Sequence, residues 1–131
     1  MKNIAVIQAR MGSSRLPGKA LLTINNIPII QWIIERMGSC QKLDDIVFAI
    51  PDGKKDDQLY DFLYSKDVNI FRGPENDVLT RFHSAAIDYH SENVIRVCAD
   101  NPFIDPRTID ELVTFFESRK CDYAYNHIPR N

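Results

Sequence analysis

No apolar run in these 131 residues approaches the length of a membrane-spanning helix, and no low-complexity tract or internal repeat interrupts the chain. The formal net charge is only −2, so there is no global attraction to nucleic acid or to an anionic membrane, and neither is expected as a partner. Cysteine is scarce. Cys40, Cys98 and Cys121 are odd in number and widely spaced, which argues against a disulfide framework and for a reducing, cytoplasmic compartment. His83, His90 and His127 lack metal-ligand spacing and read as ordinary surface or core histidines. The first apolar run, Ile4 to Ile7, is followed by arginines rather than a small-residue cleavage site, so no signal peptide is expected.

What remains is an ordinary globular composition, 44% apolar and 26% charged, over a length that suits one domain spanning 1–131. A domain of this size buries roughly two-thirds of its unfolded surface. Short apolar runs at Asn3–Gln8, Ile46–Ile50, Asn69–Arg72, Val94–Ala99 and Tyr123–Tyr125 read as strands. They are continuous rather than alternating, as strands covered on both faces are. Between them, helices are expected at Ile29–Met37, Lys55–Ser65, Val78–Tyr89 and Pro106–Ser118. In the third, Val78, Leu79, Phe82, Ala86 and Tyr89 recur at helical spacing as a core stripe, with Asp77 as cap. The fourth opens with Asp105 as N-cap and Pro106 at the first position, then buries Ile109, Leu112, Val113 and Phe116. Trp32, among Ile29, Ile30, Ile33 and Ile34, reads as core or interface, and "GKKDD" as a solvated helix start. The alternation predicts a three-layer α/β/α fold on a mostly parallel sheet, with right-handed crossovers.

Such sheets bind ligands outside the carboxyl ends of their strands, so the segments that follow each strand are the place to look. They are "QARMGSSRLPGK", then "PDGKKDD" with Asp52, then "RGPENDVL" with Arg72 and Gly73, then "ADNPFID" with Asp100. Polar groups from four segments converge on one rim. In the first, Gly12 and Gly18 permit tight turns, Ser13 and Ser14 offer hydroxyls, and Arg10, Arg15 and Lys19 crowd three cations together. A bound anion would relieve that crowding, and a polyphosphate suits two guanidinium forks and one mobile ammonium. By composition alone a solvated basic loop fits equally well, and the position directly after a buried first strand favours the anion. The loop is not a P-loop: five residues rather than four separate Gly12 from Gly18, and Ala20 stands where a Ser or Thr would hold magnesium. The dinucleotide fingerprint is absent too. Asp100, at a strand end across the crevice, suits Mg²⁺ or a simple turn. Asp52 sits in an ordinary "PDG" turn, and Arg72 could equally pair with Glu75 or Asp77.

Three blocks, "VIQARMGSSRLPGKALLTINNIPIIQW", "FRGPENDVLTRF" and "IRVCADNPFIDPRTID", together resemble the cytidylyltransferase family, which includes the Kdo and acylneuraminate synthetases. The likeness is greatest to the branch typified by spore coat polysaccharide biosynthesis. It implies a nucleotide-diphospho-sugar-transferase-like, Rossmann-like fold. It also implies a reaction in which CTP and a sugar or sugar acid give a CMP-sugar and pyrophosphate. Carried over by motif, Arg10, Ser14, Arg15 and Lys19 would hold the CTP phosphates, with Gly12 and Ser13 in the same loop. Backbone near Gln8 and Ala9, and the Arg72 to Arg81 segment with Gly73, would help seat base and ribose, with Asp52 a further nucleotide-binding residue. Asp100 would bind Mg²⁺, and Arg10, Lys19 and Asp100 would carry catalysis. "QAR" in place of the "AGG" of sugar-1-phosphate nucleotidyltransferases favours the cytidylyl branch. Family members continue beyond "YAYNHIPRN" into the sugar pocket and a second metal-binding acidic residue, so this chain is expected to be the nucleotide-binding part. A noncatalytic nucleotide-binding or assembly module is the alternative, as is a sugar-1-phosphate or molybdopterin-type nucleotidyltransferase. The apolar helix around Trp32 and an open sheet edge leave room for a homodimer.

Overall fold

The computed structural model describes residues 2–12, 15–99 and 101–126. In chain order the strands are β1 (Asn3–Gln8), β2 (Thr23–Ile24), β3 (Ile27–Pro28), β4 (Asp45–Pro51), β5 (Asn69–Gly73) and β6 (Asn93–Cys98). The helices are α1 (Ile29–Met37), α2 (Asp57–Ser65), α3 (Val78–Asp88) and α4 (Pro106–Ser118). β1, β4, β5 and β6 form one parallel sheet in the order β5-β4-β1-β6, while β2 and β3 pair as a separate antiparallel hairpin.

The sequence dictates which strand lies at the centre. Ile4, Ala5, Val6 and Ile7 are all 0% exposed, because an uninterrupted apolar strand must be covered on both faces. Alternate residues then serve opposite layers. Ala5, Ile7, Phe48 and Ile50 pack against Ile29, Ile30, Ile33 and Met37 of α1, Leu59 and Leu63 of α2, and Ile109 of α4. Ile4, Val6, Val47 and Ala49 face the other way, onto Ala85 of α3, with Phe71, Phe82 and Tyr89 around them. Helices on both faces give the three-layer α/β/α arrangement that the alternation predicts.

Four details differ from the sequence reading. Tyr123–Tyr125 forms no strand; both tyrosines are exposed and their rings lie 5.8 Å apart. The core face of α3 runs through Arg81, Ala85 and Ala86, while Val78 and Leu79 are exposed, because the buried face includes an arginine that an apolar pattern does not count. Before α2, residues Lys54–Asp56 form a separate 3₁₀ turn; Lys54, Lys55 and Asp57 are exposed, as the solvated reading of "GKKDD" expects, but Asp56 is fully buried. The fourth is the hairpin, which turns on Asn25 (φ 53°) and Asn26 (φ 64°), side chains that tolerate the left-handed region. Its strands brace α1: Trp32 Nε1 donates to Ile24 O at 3.2 Å and Ile29 N to Leu22 O at 2.8 Å.

Both expected N-caps are present. Asp77 accepts from the amide and hydroxyl of Thr80 at 3.0 and 2.7 Å, and Asp105 accepts from Arg107 N at 2.9 Å ahead of Pro106. The Thr80 hydroxyl, then its amide, hold the Asp77 carboxyl below its ordinary range. A depressed carboxyl stabilises the fold when ionised and loses that contribution as pH falls through its folded-state value. Asp77→Ala is therefore expected to lower the thermal midpoint at neutral pH, and the gap from wild type to close on acidification. In the core, Ile30→Ala is expected to cost about 2–5 kcal/mol in urea unfolding, as removal of a fully buried branched side chain does.

Candidate functional site

The strand order places a topological switch at β1. From β1 the chain moves outward through β4 to β5, then returns to pair β6 with the opposite edge of β1. The segments leaving β1 and β6 both emerge at the carboxyl end of the sheet, where such folds bind ligands. They lead to α1 and α4 on the same face, where Arg36 Nη1 donates to Ile104 O at 3.4 Å and Gln41 N to Asp110 Oδ1 at 3.0 Å. Ala9 N still donates to Ala49 O, and Ala99 N to Gln8 O, both at 3.2 Å, so the ladders run to the rim. Asp100, the next residue, lies outside the described residues, as do Ser13 and Ser14.

The loop after β1 is held at defined points. Asp56, 0% exposed, accepts from Met11 N through Oδ1 at 2.7 Å. Gly18 N donates to Met11 O at 2.8 Å, so the segment between them leaves from and returns to one residue. Gly18 sits at φ 73°, where a side chain is disfavoured, and starts the 3₁₀ turn Lys19–Leu21. Ala20 in that turn belongs to the core, and the hairpin follows directly. No long helix therefore begins where a P-loop would put one, which agrees with the failed glycine count. Arg10 and Arg15 are exposed and Lys19 is half-buried.

Arg81 is 2% exposed, an unusual place for a guanidinium. Nη1 donates to the carbonyls of Pro74 and Glu75 at 2.9 and 3.3 Å, and Nη2 to Gln8 Oε1 at 3.3 Å. Burial pushes its proton affinity below the ordinary value; the charge of Asp56 opposes this and that of Arg10 adds to it, with Glu75 and Asp52 also favouring the cation. Gly73 packs closely against it: a Cβ there would stand 3.0 Å from Arg81 Cγ, tight enough that the neighbour would have to give. Among the described residues, Asp56 Oδ2 and Arg81 Nε are buried without a hydrogen-bond partner.

Arg72 faces inward too. Its guanidinium donates to Pro51 O (3.0 Å), Gly53 O (2.8 Å) and Asp57 Oδ1 (2.9 Å) and lies over the Tyr60 ring, pairing with neither Glu75 nor Asp77. Asp52 is exposed, and its amide donates to Gly73 O at 2.9 Å. The structure thus brings Gln8, Ala9, Arg10, Gly12, Asp52, Gly73 and Arg81 to one rim, whereas Arg72 is engaged in holding the β4–α2 connection to β5.

Sequence reasoning missed Asp56, Lys55 and Glu75. Lys55 and Glu75 form an ion pair across two strand-end loops. Asp56 carried one usable signal, a second acid directly before a helix that already had Asp57 in its first turn. Among the described residues no cluster of three or more His, Cys, Asp or Glu side chains could hold a metal, and no helix is long and apolar enough to cross a membrane. The Cys40 thiol, pushed up to about 11 by burial and by Asp110, is not an activated nucleophile. Asp56→Ala would leave the Met11 amide without its acceptor, at a cost of about 1–3 kcal/mol. Faster trypsin cleavage at Arg15 and Lys19, alongside a lower urea midpoint, is the expected result.

A family model described as cytidylyltransferase matches residues 4–128. The spore coat polysaccharide biosynthesis protein SpsF of Bacillus subtilis is 33% identical over 92% of this chain and 52% of its own length. An 8-amino-3,8-dideoxy-manno-octulosonate cytidylyltransferase of Shewanella frigidimarina is 34% identical over 94% of this chain and 51% of its own. Among solved structures, CMP:2-keto-3-deoxy-manno-octonic acid synthetase complexed with CTP superposes with a TM-score of 0.76 at 28% identity, covering 90% of this chain and 48% of that one. The chain spans about half the length of the curated relatives it matches.

Proposed function

Because the chain belongs to the cytidylyltransferase family, we propose that it binds CTP at the rim between β1 and β6 and serves the transfer of CMP to a sugar acid in glycan biosynthesis. The observation that carries this reading is the anchored basic loop: a backbone held by Asp56 at Met11 presents Arg10, Arg15 and Lys19 beside the switch point of a parallel sheet. The relatives' names support the substrates. One acts on an octulosonate sugar acid, another was solved with CTP, and a third belongs to spore coat polysaccharide biosynthesis.

In this reading the cations of the loop neutralise the triphosphate, and each charge-assisted hydrogen bond contributes about 1.5–3 kcal/mol. Gln8, Ala9 and the wall formed by Gly73 and Arg81 shape the nucleoside end. A sugar hydroxyl oxygen bonds to the α-phosphorus, the bond from that phosphorus to the bridging oxygen breaks, the hydroxyl proton is lost, and pyrophosphate leaves. Positioning and charge neutralisation supply the rate, so no covalent nucleophile is needed. Mg²⁺ is the proposed metal, with Asp100 as its carboxylate. Bound through substrate phosphates, such an ion needs only one or two protein carboxylates and would offset charge on the leaving group.

Calorimetry with Mg²⁺ is expected to show CTP preferred over ATP, GTP and UTP; equal affinities would overturn the assignment. Lys19→Ala is expected to weaken CTP binding about tenfold or more while leaving cytidine binding nearly unchanged. Pyrophosphate release with CTP and a panel of sugar acids tests turnover, and binding without release would identify a nucleotide-binding module.

A further inference from the structure

We propose that Lys55 is a further phosphate-binding residue of this site, held ready beside the loop by Glu75; this inference rests on the CTP-binding reading above. Lys55 lies in the 3₁₀ turn Lys54–Asp56, outside the basic loop, yet its ammonium lies over the backbone of Gly12. A Cβ built on Gly12 would stand 3.2 Å from Lys55 Nζ and 3.7 Å from Glu75 Oε1. The cation therefore reaches the phosphate loop itself, and the absence of a side chain at Gly12 is what lets it approach.

Two features make this placement more than a surface ion pair. Lys55 adjoins Asp56 in sequence, and the Asp56 carboxylate fixes the Met11 amide at 2.7 Å, so one short turn both anchors the loop and delivers a charge onto it. Glu75 comes from the loop between β5 and α3, where Arg81 binds its main-chain carbonyl at 3.3 Å. The carboxylate that pairs with Lys55 is thereby tied to the buried framework. Lys55 and Glu75 side chains are 55% and 30% exposed, and an ion pair in that setting is easily opened. A triphosphate brings more charge than one carboxylate, and the four-carbon stem of a lysine lets its ammonium pivot from one oxygen to another. Glu75 thus prevents a fourth cation from repelling Arg10, Arg15 and Lys19 in the free protein, and yields it when the ligand arrives.

The test is calorimetry on the whole chain with Mg²⁺, using CTP and cytidine as probes. Lys55→Ala is expected to weaken CTP about fivefold to tenfold with cytidine unaffected, and Lys55→Arg to retain most of the affinity. Glu75→Gln is expected to tighten CTP binding, because it releases the ammonium and removes a negative charge. If wild type binds CTP, Lys19→Ala loses it and Lys55→Ala does not, the role of Lys55 is overturned while the CTP site stands. Unchanged or weaker CTP binding by Glu75→Gln overturns the reserve mechanism. If wild type shows no preference for CTP, the underlying reading fails, and this one with it. Both side chains are partly exposed, so matching urea midpoints for the variants exclude misfolding as the cause.

Discussion

Arg81 lies almost wholly buried between the loop after β5 and the last residue of β1, and a guanidinium in that position must find acceptors or destabilise the fold. It finds them in the Pro74 and Glu75 carbonyls and in the side chain of Gln8, which ties the loop after β5 to the last residue of the central strand. Nearby acids at Asp56, Glu75 and Asp52 keep it charged against the effect of burial. Other features of the rim follow. Gly73 leaves it room at close quarters, α3 turns its arginine inward and leaves Leu79 outside, and Asp56 stays buried beside a cation.

Charges at the carboxyl end consequently divide between two tasks. Asp56, Arg72 and Arg81 are spent on the scaffold, each binding backbone atoms of a neighbouring loop. Arg10, Arg15 and Lys19 lie on the loop that Asp56 pins at Met11. In the proposed function these are the cations that meet the triphosphate, on a loop whose anchor at Met11 is in place before any ligand arrives.

The framework was legible because buried parallel strands and amphipathic helices leave strong periodic marks. β1, α1 and α4 fall on the residues that apolar runs and the Asp105–Pro106 start predict. What escaped was decided by tertiary contacts. The β2–β3 hairpin has two residues per strand, too few for a period, and only the Asn25–Asn26 pair marked it. Asp56 and Arg81 look like surface residues by type; their burial depends on partners 45 and 73 positions away. The apolar stripe on α3 misled for a related reason, since its buried arginine counts as polar in any pattern. At the site, the basic loop was visible from composition and position, whereas the group that pins it lies on a different strand-end turn.

The hydrogen bond from Gly18 N to Met11 O makes the segment between them a closed excursion from the scaffold. Its two ends are fixed to each other, to Asp56 on one side and to the buried Ala20 on the other. Changes in the length or composition of that excursion therefore need not propagate into the sheet, just as insertions at closed surface loops cost little. Under the proposed function, altering a handful of residues between Met11 and Gly18 would change which anion is gripped, with the core undisturbed.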